Sequence, residues 1–276
     1  MTELRQRMIR DMELRGLSPH TKRSYLGAVR GLAKFYHRAP DTLSREEVQD
    51  YLLHLEQDRK MAWNSSRVAV TGLRFFYGVT TQNSDMLLAI PARKRHRRLP
   101  VVLSREEVMR IINGVSNPKH RLMLMTAYSG GLRVSEVVRL KLTDFDFSRM
   151  TIRVELGKCN KDRYTLLSRR LAGELEEYVK HHRTLFWLFP SNKAGAHISV
   201  VAAQKVYAHA RAKAQVSQGS GIHTLRHCFA THLLEDGVDI YTIQKLMGHR
   251  QISTTAVYLH LTAQGFYRVE SPMDKC

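Results

Sequence analysis

The sequence predicts a mainly α-helical protein of two domains, the second of which contains a small antiparallel sheet. Three observations indicate this fold class. Apolar residues recur at helical spacing through most of the chain, and a capping box, Ser-Arg-Glu-Glu, begins at Ser44 and again at Ser104. Residues 151–167 instead alternate as β-strands do, around a polar turn. A basic segment bracketed by Pro91 and Pro100 divides the 276 residues into two parts, each long enough to bury a core.

Residues 1–90 are expected to form a small helical domain. Leu4, Met8, Met12 and Leu14 lie at roughly helical spacing among charged residues, which is typical of an amphipathic helix. Comparable patterns follow further along this domain. The four expected helices cover residues 2–15, the stretch from the Ser18 N-cap to about Tyr36, the stretch after Ser44 that includes Leu55, and about Asn64 to Tyr77.

The segment PARKRHRRLP, residues 91–100, is the expected interdomain linker. Proline disfavours helix in the residue before it, and like charges repel one another, so the segment is not expected to fold alone. Lying along a phosphate backbone would stabilise it by counterion release, strongly at low salt and weakly at high salt. The alternative is a disordered spacer whose charge is incidental. Its basic residues are Arg93, Lys94, Arg95, Arg97 and Arg98.

Residues 101–276 are expected to form the larger domain. The capping box at Ser104 opens its first helix. Residues 122–125 are consecutive apolar residues on a helix that is expected to be buried and to end at Gly130–Gly131, a glycine pair that permits a close-packed turn. Arg133 then begins the next helix, where free N–H groups and the helix dipole favour an anion.

The expected sheet is a hairpin in this second domain. Its strands are Thr151–Glu155 and Tyr164–Leu167, joined by the polar turn Gly157–Asp162. Three further elements are predicted after the hairpin: a helix at residues 168–182, a buried apolar run at Thr184–Phe189 and a helix at Val200–Ala214. Lys205, Arg211 and Lys213 of the last helix are expected to face solvent.

The charge balance indicates a nucleic-acid partner. Lys and Arg number 44 against 25 Asp and Glu, a formal net charge of +19. The alternative is a basic protein with a solvated charged face. No run of 18 apolar residues occurs and the N-terminus has no apolar signal region, so no membrane association is expected. The three cysteines form no C-x-x-C pair, which fits a reducing, cytoplasmic setting.

The stretch Ile222–Leu261 contains the candidate reactive residues. His223 and Arg226 are three apart on an expected helix and therefore share a face. Such a pair suits a phosphate, because Arg presents a fork of donors and His exchanges a proton near neutral pH. His249 and Tyr258 follow downstream, and the phenol of Tyr258 is a candidate nucleophile.

These motifs resemble those of a known family. His-x-x-Arg at residues 223–226, Leu-Met-Gly-His at 246–249 and Thr-Thr-x-x-Tyr at 254–258 resemble the catalytic box of the tyrosine recombinases, the phage-integrase and Xer-type enzymes that break and rejoin DNA. SGGLRVSEVVRL at 129–140 resembles the family's first-arginine motif, and GKCNKDRYTLL at 157–167 its lysine hairpin. Three boxes in the family's order are specific, and the resemblance covers nearly the whole chain.

The resemblance implies a function and a role for each site residue. It implies a site-specific recombinase or integrase that works through a covalent 3'-phosphotyrosyl intermediate, with no metal, ATP or other cofactor. Two arginines would hold the scissile phosphate, a lysine would be the general acid, one histidine the general base or a phosphate donor, and a second histidine a further donor. By position these are Arg133 and Arg226, Lys158, His223 and His249, with Tyr258 as nucleophile.

The resemblance also implies how DNA is bound. LSPHTKRSYLGAVRGLAKFY, residues 17–36, resembles the family's core-DNA-binding domain, which would form a clamp around double-stranded DNA with the catalytic domain. The resemblance further implies that the DNA carries paired inverted core sites and that a homo-tetramer binds two such sites. The tail, residues 259–276, would dock on a neighbouring protomer. A surface of merely solvated charges is the alternative. Besides the linker, the candidate DNA contacts are Thr21, Lys22, Arg23, Arg67 and Arg74.

Other interpretations of these residues compete with a recombinase. His223 and His227 have an i, i+4 spacing known from helical zinc sites, but no Glu follows His223 directly, so no metal is expected. His227 and His232 are expected to be packed or capping side chains. Tyr241 and Tyr267 compete with Tyr258, but Tyr241 is expected in the core. The competing functions are a DNA-binding regulator without chemistry and a topoisomerase-like enzyme.

Overall fold

The computed structural model describes residues 2–90, 99–155, 162–181 and 186–261. The chain divides into two compact units, Met1–Arg97 and Arg98–Cys276. Each has its own apolar core. Several residues with predicted roles lie outside the described residues, namely Arg93, Lys94, Arg95, Arg97, Arg98, Lys158 and the tail after Leu261.

The first unit is helical, as predicted. Met8 and Met12 of the first helix, Leu32 of the second and Leu73 of the fourth are buried in its core. Leu14 is expected on the apolar side of the first helix, but it is exposed because it lies two residues after the buried Met12, on the opposite side of the helix. The helices are α1 (Glu3–Leu14), α2 (Pro19–Tyr36), α3 (Arg45–Gln57), α4 (Trp63–Phe75), which continues as a π-helical turn Phe76–Thr80, and α5 (Ser84–Ala89).

Both predicted capping boxes form. The Ser44 hydroxyl accepts from the backbone N–H of Glu47, whose carboxylate accepts from the N–H of Ser44 at 2.7 Å. Ser104 and Glu107 make the same pair of bonds, with the second at 2.9 Å. Each box satisfies N–H groups that a helix start leaves without partners. The sequence thus places the starts of α3 and of the first helix of the second unit.

The second unit is mainly helical with a three-stranded antiparallel sheet, which confirms the predicted fold class. Its strands are β1 (Phe145–Asp146), β2 (Thr151–Val154) and β3 (Arg163–Leu166), in that order in the sheet. Its helices are α6 (Arg105–Asn113), α7 (Pro118–Ser129), α8 (Val134–Val137), α9 (Arg169–His181), α10 (Val200–Lys213), α11 (His223–Glu235), α12 (Ile240–Met247) and α13 (Ile252–Thr255), followed by a 3₁₀ turn, Ala256–His260.

The structure departs from the predicted elements in three places. β1 was not predicted, because two residues are too short to show alternation. The helix expected from Arg133 is only α8, of four residues. In the apolar run at Thr184–Phe189, Leu188 and Phe189 are buried, but Phe186 is 58% exposed. Apolar composition alone did not show which side chains of that run face the core.

α7 is the buried centre of the second unit, and the turn after it determines where the reactive residues lie. Residues 122–125 are all buried, and α7 packs on α9 and α11. The turn passes so close to α11 that a Cβ on Gly131 would lie 2.2 Å from Cδ1 of Phe229, and Gly131 has φ +58°. Glycine is required there for both reasons. The chain therefore reaches Arg133 directly beside α11.

No helix among the described residues has both the length and the apolar character needed to cross a membrane.

Candidate active site

α11 provides three of the residues that meet in the site. It is anchored in the core by Leu225 and Cys228, which are buried completely. His223, its first residue, is exposed, whereas Arg226 one turn later has only 1% of its surface exposed. His227 is half-buried beside it. The predicted i, i+3 pair thus lies on a single helix, with one member at the surface and one inside.

The guanidinium of Arg226 joins two chain segments. Its Nη1 donates to the carbonyl of Gly131 at 2.6 Å, and its Nη2 donates to the carbonyl of Met247 at 2.6 Å. Burial, together with the positive charge of Arg133, lowers the pKa of Arg226. An arginine nevertheless keeps its charge in proteins. A fixed positive charge is therefore held in a nearly dry position, where its field is screened little.

Glu136 holds three guanidinium groups around one carboxylate. Arg133 donates to it at 2.7 Å, Arg163 donates through both terminal nitrogens at 2.9 and 2.8 Å, and Nη1 of Arg226 lies 3.9 Å away. Burial opposes ionisation, but the bonds and charges of Arg163 and Arg133 lower the pKa of Glu136 to about 2. The cluster keeps a surplus of positive charge, which favours an anion. Glu136 thus also fixes the orientation of Arg133, through bonds to its guanidinium and its backbone N–H.

Arg163 was missed in the sequence. It begins β3, and its Nε donates to the carbonyl of Leu246 near the end of α12 at 3.0 Å. Gly248 permits this approach, because a Cβ there would lie 2.6 Å from Cδ of Arg163. Nothing in the hairpin sequence distinguishes Arg163 from a strand residue facing solvent. Only the packing of the sheet against α12 shows its role.

Tyr258 is buried in the same cluster, with 4% of its surface exposed. Its hydroxyl lies 3.0 Å from Nδ1 of His227. Burial raises the pKa of Tyr258 to about 12, although the charges of Arg226 and Arg133 oppose this shift. Burial and the nearby His223 and Arg226 lower the pKa of His227 to about 4. Phenol and imidazole are thus both neutral at pH 7, and His227 is a contact of the phenol rather than only the packed residue expected.

His249 is oriented by a threonine. Its Nδ1 lies 2.9 Å from the hydroxyl of Thr255, which is buried. Burial, then the charges of Arg226, Arg133 and Arg163, lower the pKa of His249 to about 3, so its ring is neutral at pH 7. A neutral ring whose Nδ1 is engaged by a hydroxyl has Nε2 left for a ligand. Partial burial, together with Arg226 and Arg133, likewise lowers the pKa of His223.

Tyr241, one of the two competing tyrosines, does not enter this cluster. Tyr241 was expected in the core, but it is 65% exposed. The apolar side of α12 is formed by Ile243 and Met247, four apart and both buried, so Tyr241, two residues before Ile243, lies on the opposite side. The prediction for Tyr241 is therefore wrong. Tyr267 lies outside the described residues.

His232 is a packed residue, as predicted. Its Nδ1 lies 2.8 Å from the hydroxyl of Tyr128, and its Nε2 lies 3.0 Å from the carbonyl of Leu103. Within residues 2–90, 99–155, 162–181 and 186–261, no group of three His, Cys, Asp or Glu side chains has an arrangement that could hold a metal ion. His227 and His232 of α11 instead contact the hydroxyls of Tyr258 and Tyr128, respectively.

The candidate DNA contacts at the start of α2 are at least partly accessible. Arg23 is exposed, and Thr21 and Lys22 are half-buried. The backbone N–H of Thr21 donates to the capping hydroxyl of Ser18 at 3.2 Å, and Lys22 pairs with Glu13 at 3.2 Å. These bonds fix the helix start without removing the basic groups from the surface.

Arg67 and Arg74 differ in their surroundings. Arg67 is exposed, and its guanidinium lies 5.7 Å from the ring centre of Trp63. Arg74 is half-buried, and its Nη1 donates to the carbonyls of Leu87 and Ile90. This guanidinium closes the end of α5 and is used inside the first unit. The prediction that Arg74 faces DNA is therefore not supported by its environment.

We expect Glu136→Gln to lower the free energy of unfolding of the second unit at pH 7, by on the order of 3 kcal/mol, because it leaves buried guanidiniums without their counter-charge. The folded-state pKa of about 2 lies below the ordinary 4.5, so this stabilisation is present above about pH 4.5 and is lost as the pH falls toward 2. The difference in the free energy of unfolding between wild type and Glu136→Gln should therefore decrease as the pH falls from about 4.5 toward 2.

Urea unfolding at pH 7, 5 and 3 measures this difference. Trp63→Phe in both proteins leaves Trp187 as the fluorescent reporter of the second unit. Glu177→Gln, which alters an exposed pair with Lys180 and His181, is the control and should change little at any pH. A difference for Glu136→Gln that is the same at pH 7 and pH 3 would contradict the account of its ionisation.

Comparison with known proteins identifies the family. Residues 102–264 match the model of the phage integrase family, and residues 4–84 match the phage integrase N-terminal SAM-like domain. A Sinorhizobium fredii protein named as an integrase/recombinase is 42% identical, over 99% of this chain and 89% of its own. A tyrosine recombinase of Pseudothermotoga lettingae is 33% identical, over 92% of this chain and 91% of its own.

Solved structures give the same picture. XerA recombinase is similar with a TM-score of 0.57 and 26% identity, over 98% of this chain and 99% of that one. A lambda integrase dimer bound to a core site has the same fold, with a TM-score of 0.74 at 18% identity, over 91% of this chain and 95% of that one. With the family model spanning more than half of the sequence, the chain belongs to the phage integrase family and is a tyrosine site-specific recombinase.

Proposed function

We propose that this recombinase breaks and rejoins DNA strands by attack of Tyr258 on a phosphodiester, forming a 3'-phosphotyrosyl link. One observation carries the proposal. The Tyr258 hydroxyl is buried with an imidazole 3.0 Å away, in a cluster where three guanidiniums share one carboxylate. A buried phenol beside a positive surplus can meet a phosphate, and these groups need no metal to do so.

The arginines would make the phosphate electrophilic. Arg133 and Arg226 would neutralise its non-bridging oxygens and stabilise the charge that develops in the transition state, which is the main contribution to phosphoryl transfer. His249 would donate from Nε2, since its Nδ1 is engaged by Thr255. His223, exposed at the first residue of α11, would bind the phosphate from the solvent side. These roles follow the family's motif positions.

A protonated leaving group completes the reaction. We propose Lys158, which follows Gly157 in the family's hairpin motif, as the acid for the 5'-oxygen; it lies outside the described residues. The phosphotyrosyl link keeps the energy of the broken phosphodiester, so a 5'-hydroxyl can reverse the step without ATP. A regulator that binds DNA without chemistry would have no use for the buried pair of Tyr258 and His227.

The proposed substrate is double-stranded DNA with paired inverted core sites. The net charge of +19 supports binding to its phosphates, with an affinity that falls as salt rises. In the first unit, Thr21, Lys22, Arg23 and Arg67 remain candidates for contact. The basic residues of 91–98 remain a proposal from the sequence. A DNA substrate also agrees with the cytoplasmic setting expected from the cysteines.

We further propose that protomers assemble as a tetramer on two sites, with the tail of one docked on the next. A cavity of about 730 Å³ in the second unit, lined by apolar side chains that include Met109, Phe229 and Leu233, supports this arrangement. The sequence after Leu261 has apolar residues suited to such a cavity, Phe266, Tyr267 and Val269. Leu261 itself packs on its own unit, against the cluster that contains Phe229 and Tyr258. Apolar side chains at an interface favour association when water leaves both surfaces.

Tyr258→Phe is expected to abolish the covalent adduct while DNA binding is retained, because only the nucleophilic oxygen is removed. Incubation with a nicked suicide substrate, followed by denaturing electrophoresis in SDS, measures the adduct, and a mobility-shift assay measures binding. Tyr241→Phe is a matched control, since Tyr241 is exposed on α12. An undiminished adduct in Tyr258→Phe would exclude Tyr258 as the nucleophile.

Lys158→Ala is expected to cleave normal DNA slowly and DNA with a bridging 5'-sulfur at close to the wild-type rate. An alkoxide is a poor leaving group without a proton, whereas a thiol ionises near pH 8.5 and its thiolate leaves with little help. Lys161→Ala, three residues away in the same turn, is the control and should show no selective recovery. Recovery in Lys161→Ala instead would move the acid to that position.

Removal of residues 264–276 is expected to weaken cooperative pairing of two DNA sites more than binding to one site. Sedimentation of the complex with one and with two inverted sites measures both quantities and gives the mass of the paired assembly. Truncation within the apolar tail should remove the tetramer and leave the single-site complex. Equal loss of both would show that the tail packs on its own domain.

A further inference from the structure

We propose that His227 is the group that takes the proton from Tyr258 during strand cleavage. The inference rests on the proposed function, since it requires Tyr258 to be the nucleophile. The sequence motif favours His223 for this task, and the structure favours the histidine one turn further along α11. Three features of the cluster carry the inference: the contact to the phenol, the neutral state of both partners, and the charge change that a phosphate would bring.

The contact is direct. Nδ1 of His227 lies 3.0 Å from the Tyr258 hydroxyl, and the two rings are 5.9 Å apart at their centres. His223 is one step removed, because its ring packs edge-on against His227 at 5.1 Å and is exposed at the helix start. In a neutral pair the phenol is the stronger donor, so we assign the bond as Tyr258 O–H donating to Nδ1, with the ring proton of His227 on Nε2.

The proton is transferred in the attack itself. The Oη–H bond of Tyr258 breaks as the N–H bond forms on Nδ1 of His227, while Oη forms its bond to phosphorus and the bond from phosphorus to the 5'-oxygen breaks. The leaving oxygen takes a proton from the general acid. In the rejoining step the 5'-oxygen forms its bond to phosphorus and gives its proton back to the general acid, while the bond from phosphorus to Oη breaks and the imidazolium returns its proton to Oη. The two steps balance without any other reactant.

The proton stays on Tyr258 until a phosphate is bound. In the free protein the pKa of His227 is about 4 and that of Tyr258 about 12, so no phenolate forms. The charged and titratable groups that act on His227 are His223 and Arg226, with Tyr258 in contact. A phosphate beside Arg226 would offset the positive charge that opposes protonation of His227. Bonding of Oη to phosphorus also removes the basicity of that oxygen.

Single-turnover cleavage of a nicked suicide substrate tests the inference with two variants. His227→Ala removes the acceptor, and His227→Asn keeps an acceptor oxygen near the position of Nδ1 but cannot take a proton. Both variants should bind DNA as wild type does and cleave it about 10²–10⁴-fold more slowly, the range expected of a general base. His181→Ala, an exposed histidine on α9, is the control and should cleave normally.

A more acidic phenol separates proton transfer from positioning. With 3,5-difluorotyrosine incorporated at position 258, less help is needed to remove the proton, so the defect of His227→Ala should shrink by about tenfold or more. Wild-type cleavage by His227→Asn, or an equal defect of His227→Ala with either phenol, would overturn the inference and leave His227 a positioning residue. His227→Asn also reports on the chemistry if His227→Ala fails to fold.

The outcomes distinguish this inference from the proposed function. If Tyr258→Phe still forms the adduct, the nucleophile is wrong and the proposed function fails with it. If Tyr258 forms the adduct and His227→Ala cleaves within about threefold of wild type, the proposed function stands and His227 is not the proton acceptor. A much larger loss in His223→Ala than in either His227 variant would return the role to the residue that the motif favours.

Discussion

The interaction on which the site depends is the sharing of one buried carboxylate by three guanidiniums. Arg133 precedes α8, Arg163 begins β3 and Arg226 lies on α11, so Glu136 joins three elements that are far apart in the chain. Without it, like charges would be held together in a place where water screens them little. One carboxylate offsets only part of their charge. The remaining positive charge is held in place before DNA binds, and a bound phosphate would neutralise it.

Burial determines the charge of the other groups in the site. It keeps Tyr258 protonated and His227 and His249 neutral, while the arginines keep their charge. Close approach makes this burial possible, since the turn at Gly131 and the helix end at Gly248 both lie where a side chain would collide. In the free enzyme the proposed nucleophile, Tyr258, therefore stays protonated at pH 7. In our proposal, a bound phosphate would supply the negative charge that changes this balance, which would confine the reactive state to the complex with DNA.

The fold class and the motif residues follow from local sequence, whereas the contacts that organise the site do not. Helical periodicity and capping boxes depend on neighbours a few residues away, so they can be recognised in a single sequence. The spacing of His223 and Arg226, which places both side chains on one face of a helix, can be recognised for the same reason. Arg163 and the contact of His227 with Tyr258 depend on which elements pack together, and no local pattern reports that. Tyr241 shows the opposite error, because apolar neighbours suggested burial on the side of α12 that faces solvent.

The central claim is that the guanidiniums act by neutralising the charge of the scissile phosphate. Its most direct test is cleavage by Arg133→Ala of a nicked substrate in which one non-bridging oxygen of that phosphate is replaced by a methyl group, which removes the negative charge. The cleavage defect of Arg133→Ala, relative to wild type, should be at least about tenfold smaller on the methylphosphonate than on normal DNA, since the missing guanidinium has less charge to neutralise. A defect of the same size on both substrates would contradict the claim and leave Arg133 a residue that only shapes the site.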